Sequence, residues 1–423
     1  MDISRFSGLR NTTSPERFKV GELAEAFDID IDNTGRPLSR IGVTKVNATP
    51  AHSLFANHRV AMCVNGTTLS AIEANASLTP IQTLSTSNYL SAETVNDFVY
   101  YTNGVDTGRL IGRTPGCWGV PVPVGQPVTS QLRGQLPPGR YSYAVTFIRG
   151  SDGHESGTGI AGQIDVTLGG IGFTNIEVST CAEVSSKIIY LSTANGETMY
   201  RAAVIPNTQT IYAYTSDGTD LTIPLVTQFA GPPPAGSLVR TYNGILYVVV
   251  GDTVYYSDPY NFDLFRLDTN FLRFPGRVVM FEACNDGIYV GTPDAGGDDV
   301  ESTGYIWFLA GGRPDQMKST QLFDYGVIAN SAVKTDAAYF EPEQTGEQAG
   351  EQARPIIVWT TRHGVCVGRD SGAVQNLTET KYSFPTAQRA AAMVRQDRGY
   401  TVYVSTLQGP GVLTNGYTES ITA

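Results

Sequence analysis

Short runs of alternating or continuously apolar residues, separated by turn dipeptides, recur along most of the chain. ILYVVV and TVYYSD are two neighbouring runs of this kind, joined by a Gly-Asp turn. Glycine-containing turns between β-rich runs are the sequence signal of β-hairpins. The pattern therefore predicts antiparallel strands, and the turns that begin its main units are Asn65-Gly66, Asn103-Gly104, Asn243-Gly244, Asp286-Gly287 and His363-Gly364.

The spacing of these turns predicts a repeated unit. Gly244 and Gly287 are 43 residues apart, and Gly66 and Gly104 are 38 apart. A period of ~40 residues with about four short strands per unit is typical of β-propeller blades. The sequence thus predicts an all-β chain with five or six blades, divided between residues 47–125 and 233–423.

Residues 126–232 interrupt this spacing. Four or more strands with close turns fall within about 100 residues, and three consecutive prolines, Pro232 to Pro234, follow them. This density of strands favours a small β-sandwich of the fibronectin or immunoglobulin class. We therefore expect a sandwich inserted between two blades. Helices are scarce, and residues 385–396 suit a helix and a blade strand equally well.

Composition and charge narrow the function classes. The 423 residues include 45 Gly, 23 Pro, 22 Tyr and 17 Phe, which favours many short strands, and the net charge is −11. Residues 233–423 carry 14 basic and 21 acidic side chains, and hence most of that charge. A protein that grips nucleic acid needs a basic footprint, so this class is disfavoured. We expect neither a membrane segment nor a signal peptide, and hence synthesis in a cytoplasm.

Five cysteines lie far apart in the sequence without a CxxC pair, so we expect neither a metal site nor a disulfide framework. Cys366, in GVCVG, is predicted to be a buried, reduced strand residue. No motif indicates a cofactor, and the cofactor prediction is none.

Two segments imitate functional motifs. Asp28, Asp30 and Asp32 resemble the start of a calcium loop, but their alternation with apolar residues fits a half-exposed strand better. Asp370-Ser371-Gly372 resembles a serine-protease nucleophile segment, yet a turn explains it, and no histidine has a fitting context. The prediction is therefore no catalytic, cofactor-binding or metal-binding residue, and no enzyme.

Two low-complexity segments, 294–301 and 341–352, hold eight of the 21 acidic residues after position 233. They lie between strand runs about one blade period apart, so both are expected to be exposed loops. If they face a channel, their charge would repel DNA phosphates; facing outward, they would only aid solubility. The candidate lumen-facing residues are Asp294, Asp298, Asp299, Glu301, Glu341, Glu343, Glu347 and Glu351.

The first 46 residues form a polar, glycine-interrupted N-terminal arm. They resemble the start of propeller-type tail structural proteins of short-tailed bacteriophages, the tail nozzle family. Residues 243–292 and 360–385 also look like that family, so the resemblance covers the arm and residues 233–410. The arm positions that carry it are Gly8, Leu9, Asn11, Pro15, Arg17, Gly21, Glu22, Leu23, Asp28 to Asp32, Gly35, Arg40 and Gly42.

The resemblance implies a virion structural protein that forms a homohexameric ring around the DNA-ejection channel. Its implied partners are the portal and adaptor proteins and the tail fibres or spikes, and DNA would pass without specific binding. The implied location is the phage tail, assembled in the host cytoplasm. Two alternatives stay open: a fibre-docking or tail-tip protein that contacts host glycan through the tyrosine-rich segment 255–262, and a propeller glycosidase whose carboxylate pair the sequence does not reveal.

Overall fold

The computed structural model describes residues 5–27, 29–32, 34–39, 45–47, 49–293, 304–337, 354–385, 387–397, 400–409 and 420–422. The chain divides into two compact units, one made of residues 49–273 and the other of residues 1–48 together with 274–423. Within the described residues, each unit consists mainly of antiparallel β-sheets.

The N-terminal arm contains two small pairs of strands. β1 (Gly8–Leu9) pairs in parallel with β2 (Glu22–Leu23), and β3 (Ile29–Ile31) pairs antiparallel with β4 (Pro37–Ser39). A 3-10 turn at Pro15–Arg17 lies between the first two strands. The strand at Ile29–Ile31 agrees with the half-exposed strand expected around Asp30.

Blades 1 and 2 are four-stranded antiparallel sheets whose strands follow chain order. They share one apolar core, to which Met62, Leu69, Val99 and Tyr101 contribute. The strands of blade 1 are β5 (His52–Ala56), β6 (Ala61–Asn65), β7 (Thr68–Ile72) and β8 (Leu78–Thr83); those of blade 2 are β9 (Ser91–Val95), β10 (Phe98–Thr102), β11 (Thr107–Ile111) and β12 (Thr114–Gly116).

The sandwich follows blade 2 and consists of two antiparallel sheets, ordered β13-β16-β19 and β15-β14-β17-β18. Between them lies a core that includes Tyr143, Phe173 and Ile189. The Tyr141 hydroxyl donates to the Pro137 carbonyl at 2.8 Å, which attaches β14 to the residues just before it. The strands are β13 (Val128–Arg133), β14 (Gly139–Arg149), β15 (Gly162–Val166), β16 (Gly169–Thr174), β17 (Val184–Ser192), β18 (Met199–Pro206) and β19 (Tyr212–Tyr214).

Blade 3 completes this unit. It contains β20 (Leu238–Tyr242), β21 (Ile245–Val250), β22 (Thr253–Asp258), β23 (Asn261–Phe265) and β24 (Phe271–Arg273), the last paired with β22. Val239, Leu246 and Val248 pack with Tyr100 of blade 2. The sequence predicts that the sandwich is a separate domain. In the structure, the sandwich and blades 1 to 3 belong to one compact unit.

The other unit carries three further sheets. Ile357 and Trp359 pack into the core shared with blade 4, and Ile356 and Val358 pack into the core shared with blade 6. Burial on both faces explains the apolar run PIIVW. Blade 4 contains β25 (Met280–Ala283), β26 (Gly287–Gly291), β27 (Ile306–Ala310) and β28 (Lys318–Phe323); blade 5 contains β29 (Val333–Asp336), β30 (Pro355–Thr361), β31 (Gly364–Gly368) and β32 (Val374–Asn376); blade 6 contains β33 (Arg389–Asp397), β34 (Tyr400–Gln408) and β35 (Ser420–Thr422).

The predicted fold class, all-β of the propeller type with an inserted sandwich, is confirmed by this sheet topology. The described residues contain five blades of four or five strands and a sixth of three, in line with five or six. Within 385–396, the strand alternative is the right one. Among the described residues, helical structure is limited to short turns such as Pro314–Gln316, and no helix has the length and apolar character needed to cross a membrane.

Candidate functional site

The acidic candidates lie outside the described residues. Segments 294–301 and 341–352 hold all eight, so their placement relative to a channel stays a prediction. The eight are Asp294, Asp298, Asp299, Glu301, Glu341, Glu343, Glu347 and Glu351.

The Asp-Ser-Gly segment forms a 3-10 turn at Asp370–Gly372 that joins two strands of blade 5 and binds a turn of blade 4. The Ser371 amide donates to the Asp286 carboxylate at 2.8 Å, and its hydroxyl lies 3.1 Å from the same oxygen. In return, the Asn285 amide donates to Asp370 at 3.0 Å. The segment therefore serves as a reciprocal contact between two blades, and His363 lies instead against the Tyr325 ring, 4.6 Å between centroids.

The calcium-like segment also has its carboxylate engaged locally. Asp28 lies outside the described residues. Asp32 accepts hydrogen bonds from the Thr34 hydroxyl at 2.7 Å and the Arg36 amide at 2.8 Å. The Thr34 and Arg36 bonds lower the pKa of Asp32. This carboxylate therefore stabilises a turn through backbone and hydroxyl donors.

Three side-chain groups within the described ranges have the spacing of metal ligands: Cys284 with Asp286 and Asp370; Asp152 with His154 and Asp263; and Cys117 with Cys181 and Glu183. In each group the carboxylates already accept protein hydrogen bonds. Two of the groups meet at the same place, where the sandwich joins blades 2 and 3. We call this place the junction and define it as residues 117–120 with Arg109, Arg149, Asp152, Cys181, Glu183 and Asp263.

Two buried arginines form the centre of the junction. Arg149 ends β14 of the sandwich, Arg109 lies on β11 of blade 2, and their side chains are 1% and 3% exposed. Arg149 Nη2 lies 2.5 Å from Asp263 of blade 3, a carboxylate 7% exposed. Arg109 Nη1 lies 3.7 Å from the same carboxylate. Asp263 therefore links the sandwich and two blades through one oxygen.

Two more carboxylates balance the arginines at the rim. Asp152 accepts from Arg149 at 2.7 Å, and Glu183 accepts from Arg109 at 2.9 Å. Burial would lower the pKa of Arg149, but the hydrogen bond to Asp152 and the charge of Asp263 outweigh it, and the pKa is raised. Burial alone would raise the pKa of Asp152, but the hydrogen bond from Arg149 outweighs this effect, and the pKa is lowered. Both groups therefore stay charged in the folded protein.

The segment between blade 2 and the sandwich is bound on both sides. The Trp118 indole donates to the Phe262 carbonyl at 2.8 Å, and the Gly119 amide donates to Asp263 at 3.0 Å. On the sandwich side, the Cys117 amide donates to Glu183 at 3.0 Å. Val120 then packs with sandwich residues in a small apolar cluster. These contacts fix the direction in which the sandwich leaves the blade.

A disulfide between Cys117 and Cys181 closes the junction. The wide cysteine spacing that disfavours a disulfide framework does not reveal this single bond. The physical reason is the insertion: 64 residues separate the two cysteines, but the sandwich folds back so that the segment before β17 reaches the end of β12. Cys63, Cys284 and Cys366 are free and buried, which confirms the prediction for Cys366.

The chemistry of the junction indicates a structural role, that of holding the sandwich against the blades. Its charges are paired with one another, and burial, followed by the charge of Asp263, raises the pKa of the neighbouring Tyr100 phenol. The sequence offered one signal of it. Arg149 lies on the same side of β14 as the buried Tyr141, Tyr143 and Phe147, because successive residues of a strand face opposite sides. A charged residue at a core position indicates a buried partner.

Comparisons with known proteins yield only distant likenesses. No family model and no curated protein matches the chain. Matching solved structures include the Neurospora crassa Pan2 WD40 domain, at 8% identity and TM-score 0.31, covering 85% of this chain and 86% of that one. Another is a chain from a complex of S. cerevisiae Dbp5 with Nup159, Gle1, IP6 and ADP, at 11% identity and TM-score 0.28, covering 84% and 72%. Likenesses this weak carry no argument about function.

Proposed function

We propose that this chain is a structural protein of a bacteriophage tail, a nozzle component that forms a ring around the DNA-ejection channel. The observation that carries the proposal is the architecture of the N-terminal arm. Among the described arm residues, Gly8, Gly21, Glu22 and Gly35 of the resemblance lie in close contact within the arm, and Asn11 binds a loop of the same unit. Such a role needs an assembly element, and the arm has the properties of one.

Glycines of the resemblance allow the arm to fold on itself. Gly21 and Gly35 have φ values of +96° and +82°, which L side chains rarely adopt. A Cβ on Gly21 would lie 2.7 Å from the Arg5 carbonyl oxygen, and one on Gly35 would lie 2.8 Å from that of Phe6. Both positions therefore require glycine for close backbone packing.

Polar contacts hold the arm together and attach it to the loop at residues 381–383. Arg10 Nη1 lies 2.7 Å from Glu22, beside the parallel pairing of Gly8 with that residue. Asn11 binds the Ser383 backbone twice: its amide group donates to the carbonyl at 2.8 Å, and its side-chain oxygen accepts from the amide nitrogen at 2.8 Å. The Asn11 amide nitrogen also donates to the Lys381 carbonyl at 2.9 Å. The arm is thus held by hydrogen bonds.

Apolar burial contributes little to the arm. Among its described residues only Gly21 and Gly35 are buried, while Val20 and Phe27 are 70% and 79% exposed. A segment with so little buried apolar surface gains stability from an additional partner surface. A neighbouring subunit in a ring would supply that surface, which supports the oligomeric part of the proposal.

The blades and the junction suit a conduit. Propeller blades have short, protected sheet edges, which suits a rigid channel wall. An acidic or neutral channel surface would not bind the passing DNA, because binding is driven by the counterions that Lys and Arg release from phosphates. The net charge of −11 agrees with that requirement. The proposal assigns the chain no catalytic role.

The arm provides the direct test. A variant without residues 1–25 should remain folded and soluble but fail to enter virions, because blades and sandwich do not depend on arm side chains for their cores. Circular dichroism and the content of purified particles, measured by immunoblot, provide the two readouts. Incorporation of this folded variant at the level of the full chain would rule out the arm as the assembly element.

One observation favours the glycan-binding alternative. Tyr260, in the tyrosine-rich segment 255–262, is 81% exposed and has a φ of +57°. A Cβ on Gly244 would lie 2.5 Å from the Tyr260 ring, so the ring covers that glycine, and the Tyr260 amide donates to the Gly244 carbonyl at 2.7 Å. An exposed aromatic ring held in place suits stacking on a sugar. Binding on a glycan array that is lost in Tyr260→Ala would favour this function; equal binding of both proteins, or none, would exclude it.

A further inference from the structure

The disulfide lies where it can fix the orientation of the inserted sandwich relative to blade 2. Cys117 follows β12 of blade 2 directly, and Cys181 stands three residues before β17 of the sandwich. The bond therefore joins the inserted domain to the blade from which it emerges. Because both cysteines belong to connecting segments, the bond can form or break without removing a residue from either core.

Non-covalent contacts also hold together the two segments that carry the cysteines. Glu183 accepts the Cys117 amide at 3.0 Å and Arg109 at 2.9 Å, and the Val184 amide donates to the Cys181 carbonyl at 3.1 Å. Glu183 thus attaches the segment that carries Cys181 to the end of blade 2. Neither cysteine is fully buried, in contrast to Cys63, Cys284 and Cys366.

We infer that Cys117 and Cys181 form a reversible redox lock that fixes the inserted sandwich to blade 2. In a reducing compartment both are thiols, and the junction is held by its charges and hydrogen bonds alone. In an oxidising environment the bond forms and the orientation of the sandwich becomes covalently fixed. This inference does not depend on the proposed function.

The chemistry balances with a small-molecule disulfide such as oxidised glutathione as oxidant. One cysteine thiolate attacks a glutathione sulfur, which forms a mixed disulfide and releases one glutathione thiolate. The second cysteine, as thiolate, attacks the protein sulfur of that mixed disulfide and releases the second glutathione. Two protons leave the protein thiols, two electrons pass to glutathione, and two molecules of reduced glutathione result.

A metal site is the competing interpretation of the same atoms. Two thiolates and the Glu183 carboxylate lie within 4.8 Å of one another and could bind zinc with a fourth ligand from solvent. Glu183 already accepts two hydrogen bonds, one from a buried arginine, and this leaves less of its charge for a cation. The lock is therefore the better account, and the experiment distinguishes the two.

The test separates the two cysteines by cutting the chain between them. Val124 and its neighbours are exposed, and a recognition sequence for a site-specific protease is inserted between Gly125 and Gln126. After cleavage the folded protein is equilibrated with glutathione mixtures, alkylated and run on a denaturing gel without reductant. The lock predicts that the two fragments stay joined in oxidised glutathione and separate in reduced glutathione, whether the protein starts oxidised or reduced.

Controls keep the result interpretable. Cys117→Ser with Cys181→Ser should give separate fragments in every mixture, whereas Cys63→Ala, which removes a cysteine outside the junction, should behave as the parent. The mass of the uncut parent, lower by two hydrogens when oxidised, gives the same answer without any variant. Fragments that separate in oxidised glutathione, or that stay joined in every mixture, would overturn the lock. One equivalent of zinc bound to the reduced protein and lost in the double variant would overturn it in favour of the metal site.

Discussion

Replacing Arg149 with methionine tests whether the junction holds the sandwich in place. The substitution keeps an unbranched apolar side chain and removes the guanidinium group with its charge. It leaves Asp263, a carboxylate 7% exposed, without its contact at 2.5 Å, and it leaves Asp152 without one at 2.7 Å. The loss therefore includes the cost of a stranded buried charge, not only that of one ion pair.

The expected magnitude follows from burial. Removing one partner of a buried ion pair costs about 3–5 kcal/mol. Arg109 Nη1 remains 3.7 Å from Asp263 and partly compensates, so we expect a loss of about 3 kcal/mol, near the lower limit of that range. The double variant Arg149→Met with Asp263→Asn removes the stranded charge and should recover part of the loss.

Arg140 offers a matched control on the same strand. It pairs with Asp165 at 2.9 Å, but the two side chains are 60% and 68% exposed. An exposed pair contributes about 0–1 kcal/mol, so Arg140→Met should change stability by no more than that.

Amide hydrogen exchange in urea is the suitable assay, since a chain with two compact units is not expected to unfold in one step. Peptides from β14 and from residues 117–123 report the opening of the sandwich and the junction. Equal shifts in the opening free energy of these peptides in Arg149→Met and Arg140→Met would show that the buried charges do not hold the junction.

Three further predictions address other parts of the chain. Glu73 accepts hydrogen bonds from Arg113 at both carboxylate oxygens, and these bonds lower the pKa of Glu73 from 4.5 to about 2. The stability that this pair contributes is therefore present above pH 4.5 and is lost as the pH falls towards 2. Glu73→Gln should lessen the loss in melting temperature at acid pH, and an unchanged pH profile would contradict this. Gly35→Ala should detach the arm and speed exchange of the Ser383 amide, while Gly66→Ala, a site with open space around it, should leave that amide protected; equal rates in both would refute the packing argument. Lysine at Asp298, Asp299, Glu343 and Glu347 should slow DNA ejection from particles at low salt and less so at high salt; unchanged ejection from particles that carry the variant would place these loops outside the channel.

The sequence predicted the sheets because local signals specify them. Asn243-Gly244 leads into the apolar run ILYVVV, and the structure shows φ values of +48° and +71° there, as a tight hairpin requires. The junction could not be predicted in the same way. Arg109, Arg149 and Asp263 are distant in sequence, and only the fold brings them together. Cys117 and Cys181 show the same limit, since spacing alone does not reveal that an inserted domain returns to its starting point.

We propose above all that the chain assembles into a ring around a channel. Negative-stain electron microscopy of the purified full-length protein, at a series of concentrations, tests it directly. We expect ring-shaped particles with a central opening and six copies of the chain, as the family resemblance implies, and their loss in the variant without residues 1–25. Folded particles of single-chain size at every concentration, in protein that also enters no virion, would contradict it.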